Sequence, residues 1–262
     1  MKQIPKKIIV LKKKQPVIEP VKVPLGEGLI RLNRYISNAG ICSRRDADKL
    51  ISEGLVTVNG QVVTELGHKV TLDDEIIFDG KRLNPERKVY ILLNKPKGFV
   101  TTIDDPHADR TVMELVRNAC HERIYPVGRL DIQTTGLLLF TNDGELTTKL
   151  THPSYEKKKV YHVELDRDLL PEDMEKIAHG IELEDGVIAA DDIHRIDQED
   201  ARQVGIEIHS GKNRIVRRIF EHFGYRVEKL DRVLFAGLTK KDLPRGRYRF
   251  LTLQEINFLK MS

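Results

Sequence analysis

Pro126-Val-Gly-Arg-Leu-Asp131-Ile-Gln-Thr-Thr-Gly-Leu-Leu-Leu-Phe140-Thr-Asn-Asp143 is the stretch that decides how the rest of the chain is read. Leu137–Phe140 is a short apolar run of the kind a buried strand shows, and the polar residues ahead of it form a loop. That loop carries one acid, Asp131, between Arg129 and the pair Thr134 and Thr135. A carboxylate on a glycine-bounded loop at a strand start is held by rigid backbone yet can face a cleft, where catalytic groups gather. An Asp in such a loop can equally do no more than close a turn onto its own backbone. Spacing alone leaves both readings open.

Working outward, Asp143-Gly-Glu-Leu-Thr-Thr-Lys-Leu150 predicts a helix that ends near Pro153. Lys157–Leu165 alternates as a half-buried strand, with Val160, His162 and Glu164 on one face and Tyr161, Val163 and Leu165 on the other. Tyr161 therefore points inward, where core packing is the usual fate of a strand Tyr. Pro171–Gly180 has a helix start and stop, and residues 181–209 alternate in strand-like fashion. Arg214–Phe223 is the best helix: Ile215, Val216, Ile219, Phe220 and Phe223 share a face, Gly224 stops it, and Arg214, Arg217 and Arg218 project elsewhere. Its entry through Gly211 presents backbone N–H groups to anions.

Upstream, Val89–Leu93 is a buried-type strand running into Asn94-Lys-Pro-Lys-Gly98, and Thr111–Ala119 is a short helix. Between them Thr101–Arg110 is an acidic loop. His107 and Asp109 lie in it without further ligands at metal spacing, so no metal site is expected. Strands followed by scattered helices, without βαβ alternation, indicate an α+β domain with a mostly antiparallel sheet.

The N-terminal part has a different character. Leu32, Tyr35, Ile36 and Ala39 recur at helical spacing up to Gly40. Ser43-Arg-Arg-Asp46 then offers an N-cap, and Ala47, Leu50 and Ile51 give a second helix its stripe. Outside remain Arg31, Asn33, Arg34, Arg44, Arg45 and Lys49, a face that is either solvated or anion-binding. Leu55–Val63 is a hairpin with Asn59-Gly60 at its turn. Residues 79–88 are polar and turn-rich. The division that results is a flexible basic arm over 1–29, a small domain over 30–80, a linker over 81–88 and a larger domain over 89–262.

Charge supports local rather than global conclusions. The formal net charge is +4, but residues 1–24 hold seven lysines against the single acid Glu19. That arm either attracts phosphates without regard to sequence or is a plain solvated tail. Two cysteines, Cys42 and Cys120, cannot make a framework of bridges. No secretory, transit or membrane-spanning pattern is present, so a soluble cytoplasmic chain is expected.

A strand-borne Asp, an inward Tyr and an Arg-rich helix start, with no glycine-rich nucleotide loop and no Cys nucleophile, leave few chemistries. The Asp would act as nucleophile or base on an electrophilic sugar or base carbon, with Arg holding it ionised. An anionic substrate with a planar ring fits, as in nucleotide chemistry on RNA. A glycosidase also fits, although it needs two carboxylates and one is placed here.

Gly128-Arg-Leu-Asp131 and the Thr-Thr-Gly-Leu-Leu-Leu-Phe-Thr-Asn-Asp-Gly after it resemble the signature of the rRNA pseudouridine synthases that carry an N-terminal S4-type RNA-binding domain. Residues 31–60 resemble that domain, Asn94–Gly98 the family's entry strand and turn, and Gly211–Arg218 its basic motif. Leu243-Pro-Arg-Gly-Arg-Tyr-Arg-Phe-Leu-Thr resembles its C-terminal segment. The resemblance covers about residues 30–260, in family order. It implies a small S4-type domain followed by a mixed, mostly antiparallel catalytic domain that converts uridine in rRNA to pseudouridine without a cofactor.

Carried over by position, Asp131 is the catalytic carboxylate, Tyr161 packs on the target base, and Arg217 pairs with the Asp, with Arg214 and Arg218 as neighbours able to take that role. Arg31, Asn33, Arg34, Arg44, Arg45, Lys49 and Asn59, and in the second domain Arg129, Lys212 and Arg214, become the RNA contacts. The implied partner is a structured rRNA stem-loop, free or in a pre-ribosomal particle, bound by a monomer. Gly180–Gly186 and Gly211–Arg218 look more like the large-subunit branch. A small-subunit enzyme, a non-catalytic rRNA-binding assembly factor and a tRNA substrate remain as alternatives.

Overall fold

The computed structural model describes residues 28–103 and 109–262. Most of the expected basic arm, and His107, lie outside those residues. Strand β1 (Ile30–Arg31) leads into α1 (Leu32–Asn38), and α2 (Arg44–Ser52) follows. The Asp46 amide donates to the Ser43 hydroxyl at 3.2 Å, which is the cap the spacing predicts. Strands β2 (Val56–Val58) and β3 (Gln61–Val62) turn through Asn59 and Gly60, whose φ angles of 50° and 79° suit a two-residue hairpin. β4 (Lys69–Val70) pairs with β1, while β5 (Ile76–Phe78) and β6 (Lys81–Arg82) complete a four-stranded antiparallel sheet in the order β3-β2-β5-β6. Leu32, Tyr35, Ile36, Ile51, Val56 and Ile76 are buried between the helices and these strands.

The small unit reaches further than its sequence suggests. Lys81 and Arg82, assigned above to the linker, belong to this sheet. Asp79 and Gly80 take φ angles of 52° and 68° and turn the chain back onto β5, after which Leu83 enters the small core. Glu86 then ties the unit to the rest: its amide donates to the Asn38 carbonyl at 2.8 Å, and its carboxylate accepts from the Arg123 amide at 3.0 Å.

In chain order the second unit continues with β7 (Tyr90–Lys95), α3 (Val112–Val116), β8 (Tyr125–Pro126), β9 (Thr135–Thr141), α4 (Gly144–Thr151) and β10 (Lys159–Leu165). Next come α5 (Pro171–His179), the hairpin of β11 (Ile181–Leu183) and β12 (Gly186–Ile188), β13 (Asp192–Arg195) and β14 (Gln203–Ile208). The last elements are α6 (Ile215–His222), β15 (Val227–Phe235), β16 (Leu238–Thr239), β17 (Tyr248–Phe250) and α7 (Leu253–Met261). A nine-stranded sheet runs β13-β14-β10-β15-β9-β7-β17, with β16 on β15 and β8 on β9.

Its pairings are antiparallel with one exception. β9 and β15 run parallel and share only the pairs Thr135–Asp231 and Gly136–Arg232. Gly136 has φ 106°, and a Cβ there would run into the Arg232 backbone, so glycine lets the two strands approach. Ile91, Leu93, Leu138 and Phe140 face the cluster that holds α3 and α6, while Tyr90, Leu92, Leu137 and Leu139 face that of α4 and α7. Burial on both faces explains why β7 and β9 read as unbroken apolar runs instead of alternating. Arg34 of α1 and Glu145 of α4 form an ion pair at 2.6 Å between the two units. Among the described residues, no helix is long and apolar enough to cross a membrane.

Candidate active site

The Asp131 loop enters β9 at the parallel junction with β15, and a cavity of about 170 Å³ lies beside it. Asp131, Arg129, Tyr161, Lys212 and Arg214 all line this cavity, together with Lys159, Ser210 and Arg232. Segments far apart in sequence thus meet: the loop before β9, strand β10, the turn into α6, and β15. The volume is below the roughly 300–1,000 Å³ of drug-sized sites and suits one planar ring.

The loop is rigid because its carbonyls are held. The Asp131 carbonyl accepts from the Thr134 amide at 3.0 Å and from Lys95 Nζ at 3.0 Å. Lys95 is fully buried and also donates to the Thr134 carbonyl at 2.9 Å. Burial pushes its ammonium down to about 8, opposed by the neighbouring Asp131 charge. Thr101 brackets Leu130, donating to its carbonyl at 2.6 Å and accepting from its amide at 3.2 Å. Turn closure is therefore done by the backbone of Asp131. Among the described residues no hydrogen bond reaches its carboxylate, which is left for the cavity.

Tyr161 lies on the inward face of β10, 8 % exposed, as the alternation predicts. Lys159, two residues earlier, donates to the carbonyls of Lys157 at 2.9 Å and His209 at 2.6 Å. Burial and the nearby Arg232 push its ammonium down to about 8. Lys212 donates to the Asp185 carbonyl at 2.7 Å. Arg214 holds a left-handed backbone (φ 49°, ψ 27°) at the start of α6, a strained conformation of the kind that clusters at functional sites.

Arg217 departs from expectation. It does not project from α6 but is buried on its apolar side, and its Nη1 donates to the Val227 carbonyl at 2.8 Å. It does not line the cavity, and among the described residues it makes no ion pair with Asp131. Burial lowers its pKa, Arg214 lowers it further, and the charge of Asp131 raises it through space. Arg218 instead holds Asp185 with bonds of 3.0 and 2.6 Å.

On the small unit Arg31, Arg44, Arg45 and Lys49 are exposed, with Lys49 3.2 Å from Asp46. Asn33 and Asn59 both make hydrogen bonds within the small unit. Asn33 donates to Asp48 at 2.9 Å and braces the helix pair. Asn59 donates to Asp74 at 2.8 Å and accepts from the Glu75 amide at 2.9 Å, because its left-handed turn needs that brace.

Sequence reasoning missed Lys95, Lys159 and Arg232, and a second cluster across the β9–β15 junction. There Asp231 takes two bonds of 2.9 Å from Arg245, one of 3.0 Å from Thr135, and an ion pair with Lys240. Burial pushes the Asp231 carboxyl up, but Arg245 and Lys240 outweigh it and hold it at about 2. No cluster of three or more His, Cys, Asp or Glu is arranged for a metal ion among the described residues.

Residues 89–222 match the family model for RNA pseudouridylate synthase, and residues 30–76 match that for the S4 domain. Ribosomal large subunit pseudouridine synthase B of Bacillus subtilis (strain 168) is 43% identical over 233 residues, 88% of this chain and 95% of that protein. An uncharacterized RNA pseudouridine synthase of Aquifex aeolicus (strain VF5) is 40% identical over 231 residues, 87% of this chain and 92% of its own. A crystal structure of a pseudouridylate synthase aligns with a TM-score of 0.63 at 30% identity, covering 88% of this chain and 99% of that one.

Proposed function

The chain belongs to the RNA pseudouridylate synthase family, and from that premise we propose that it isomerises one uridine of large-subunit ribosomal RNA to pseudouridine. The reaction breaks the bond from N1 of the base to C1′ of the ribose and forms one from C5 to C1′. C5 loses a proton and N1 gains one, so the change is redox-neutral. The observation that carries the reading is the composition of the cavity. Asp131 is the one acidic side chain among its lining residues, facing Arg129, Lys159, Lys212, Arg214 and Arg232.

Asp131 supplies the reacting carboxylate, on a loop that Lys95 and Thr101 keep still. Tyr161 lies against the uracil ring. Arg217 lies near enough for the Asp131 charge to act on its guanidinium without a direct bond. Arg129, Lys212 and Arg214 hold phosphates on either side of the target, contacts that position RNA without reading its sequence. Taking the uridine out of its stack costs a few kcal/mol. Arg31, Arg44 and Arg45 of the small domain offset that cost by gripping a structured stem-loop. We take residues 30–83 as that RNA-binding domain and 89–262 as the catalytic domain, working as a monomer in the cytoplasm on free rRNA or a pre-ribosomal particle.

The test is to incubate the protein with large- and small-subunit rRNA transcripts and map pseudouridine by carbodiimide-adduct primer extension, with Asp131→Asn alongside. One new stop on large-subunit RNA, absent with the variant, is expected. A stop on small-subunit RNA alone overturns the substrate assignment, and an active variant overturns the role of Asp131.

A further inference from the structure

Arg232 is a buried cation of the cavity wall with donors left unpaired. It is 3 % exposed, and its one hydrogen bond runs from Nε to the Leu137 carbonyl at 2.8 Å. Neither terminal nitrogen has a hydrogen-bond partner among the described residues, and Nη2 is buried. A guanidinium stripped of water with donors unpaired is costly for a fold to keep. Its neighbours are treated otherwise: Lys159 is bonded by backbone carbonyls, and Arg245 is bidentate on Asp231.

The position of Arg232 is built. Its guanidinium stacks 4.6 Å from the centre of the Phe235 ring, which fixes its plane. The register of β10 with β15 shifts at this point, so that Val160 faces Leu234 while Tyr161 faces Arg232. The extra residue, Val233, is a bulge, a device that re-aims a side chain beside an active site. Arg232 therefore stands directly across from Tyr161, where opposed side chains have their Cβ atoms about 4.5–5.5 Å apart.

With a uracil ring lying on Tyr161, Arg232 stands at the edge of that ring. The edge carries two acceptors, the oxygens at C2 and C4, and a guanidinium donates in plane to base oxygens of this kind. When the bond from N1 to C1′ breaks, its electron pair stays on the base and spreads over those oxygens. A cation already seated there interacts more strongly as the reaction proceeds. The exposed cations at the rim do not have this geometry.

We propose that Arg232 donates to a ring carbonyl of the target uridine, orienting the base and holding the charge it gains as it leaves the sugar. The inference rests on the reading of the cavity as the uridine site.

The experiment compares wild type, Arg232→Met and Arg232→Lys on three RNAs that differ only at the target: uridine, 2-thiouridine and 4-thiouridine. Wild type should lose about 10-fold or more in kcat/KM on one thio-RNA, because sulfur accepts the charged hydrogen bond poorly. Arg232→Met should be slow on uridine RNA and indifferent to that thio substitution. Arg232→Lys, which keeps the charge, should be intermediate and carries the comparison if the Met variant folds poorly. Equal losses for wild type and both variants on each thio-RNA, the additive result of a merely structural side chain, would overturn the proposal, as would unchanged kcat/KM in Arg232→Met. Wild type inert on uridine RNA overturns the parent reading, a separate outcome.

Discussion

Asp131 and Asp231 flank the same two-pair junction of β9 and β15, one in the loop just before it and one within it. Asp231 is saturated by Arg245, Thr135 and Lys240, and its carboxyl is held at about 2. Asp131 spends its backbone on Thr134 and Lys95 and keeps its carboxylate for the cavity. Two like residues at one strand junction thus do different work. One closes the seam, and the other is held still by it. What separates them is whether the polar atoms already have partners.

The sharpest way to break this contrast is to neutralise each acid in turn. Asp131→Asn should cut product formation by roughly 10²–10⁴-fold or more, the range of a lost acid–base group, and leave the melting temperature unchanged. Asp231→Asn should do the reverse. Taking the carboxylate away from Arg245 and Lys240, both reachable by water, should cost about 1.5–3 kcal/mol in a denaturant titration, with the folded fraction still active. If the titration midpoint of Asp231→Asn matched wild type, Asp231 would not be the brace.

Acid sharpens the same comparison. The Asp231 carboxyl moves from an ordinary 3.8 to about 2 on folding, so its contribution is complete above pH 4 and is lost as pH falls through 2. Two units correspond to about 2–3 kcal/mol. The stability gap between wild type and Asp231→Asn should therefore narrow from pH 5 to pH 2 in urea melts at each pH.

The small domain repeats the distinction with smaller effects. Arg44 and Arg45 are exposed, whereas Asn59 is bonded to Asp74 and Glu75 just ahead of β5. The double reversal Arg44→Glu with Arg45→Glu should weaken rRNA binding and reduce the slope of log affinity against log salt by about 1–2, with the fold intact by circular dichroism. Asn59→Ala should leave that slope alone. Smallest of all is the Arg34–Glu145 pair. With Glu145 78% exposed, a double-mutant cycle should return about 1 kcal/mol or less.

Local chemistry was legible in the sequence, and long-range closure was not. Ser43 and Asn59-Gly60 act on their neighbours, so the cap and the hairpin could be read directly. Period-two alternation put Tyr161 on the right face because its strand obeys that period. Asp79-Gly80 carried the same hairpin signal as Asn59-Gly60, but the polar run after it masked a strand of two residues. Arg217 was misplaced because the Val227 carbonyl that receives it belongs to a strand that no helical pattern foretells. Arg232 was invisible for a related reason: a bulge in β15, created by pairing with β10, decides where it points. Lys95 is a fully buried cation, held mainly by the carbonyls of a loop some 36 residues away.

The junction also sets a clock on synthesis. Thr135 and Asp231 are 96 residues apart, so the cavity wall that holds Arg232 arrives long after Asp131 and Tyr161. At translation rates of about 5–20 residues per second, that gap lasts roughly 5–20 s. A nascent chain halted within it carries Asp131 but not the β15 wall of the cavity beside it. The cavity is thus complete only once β15 has been made.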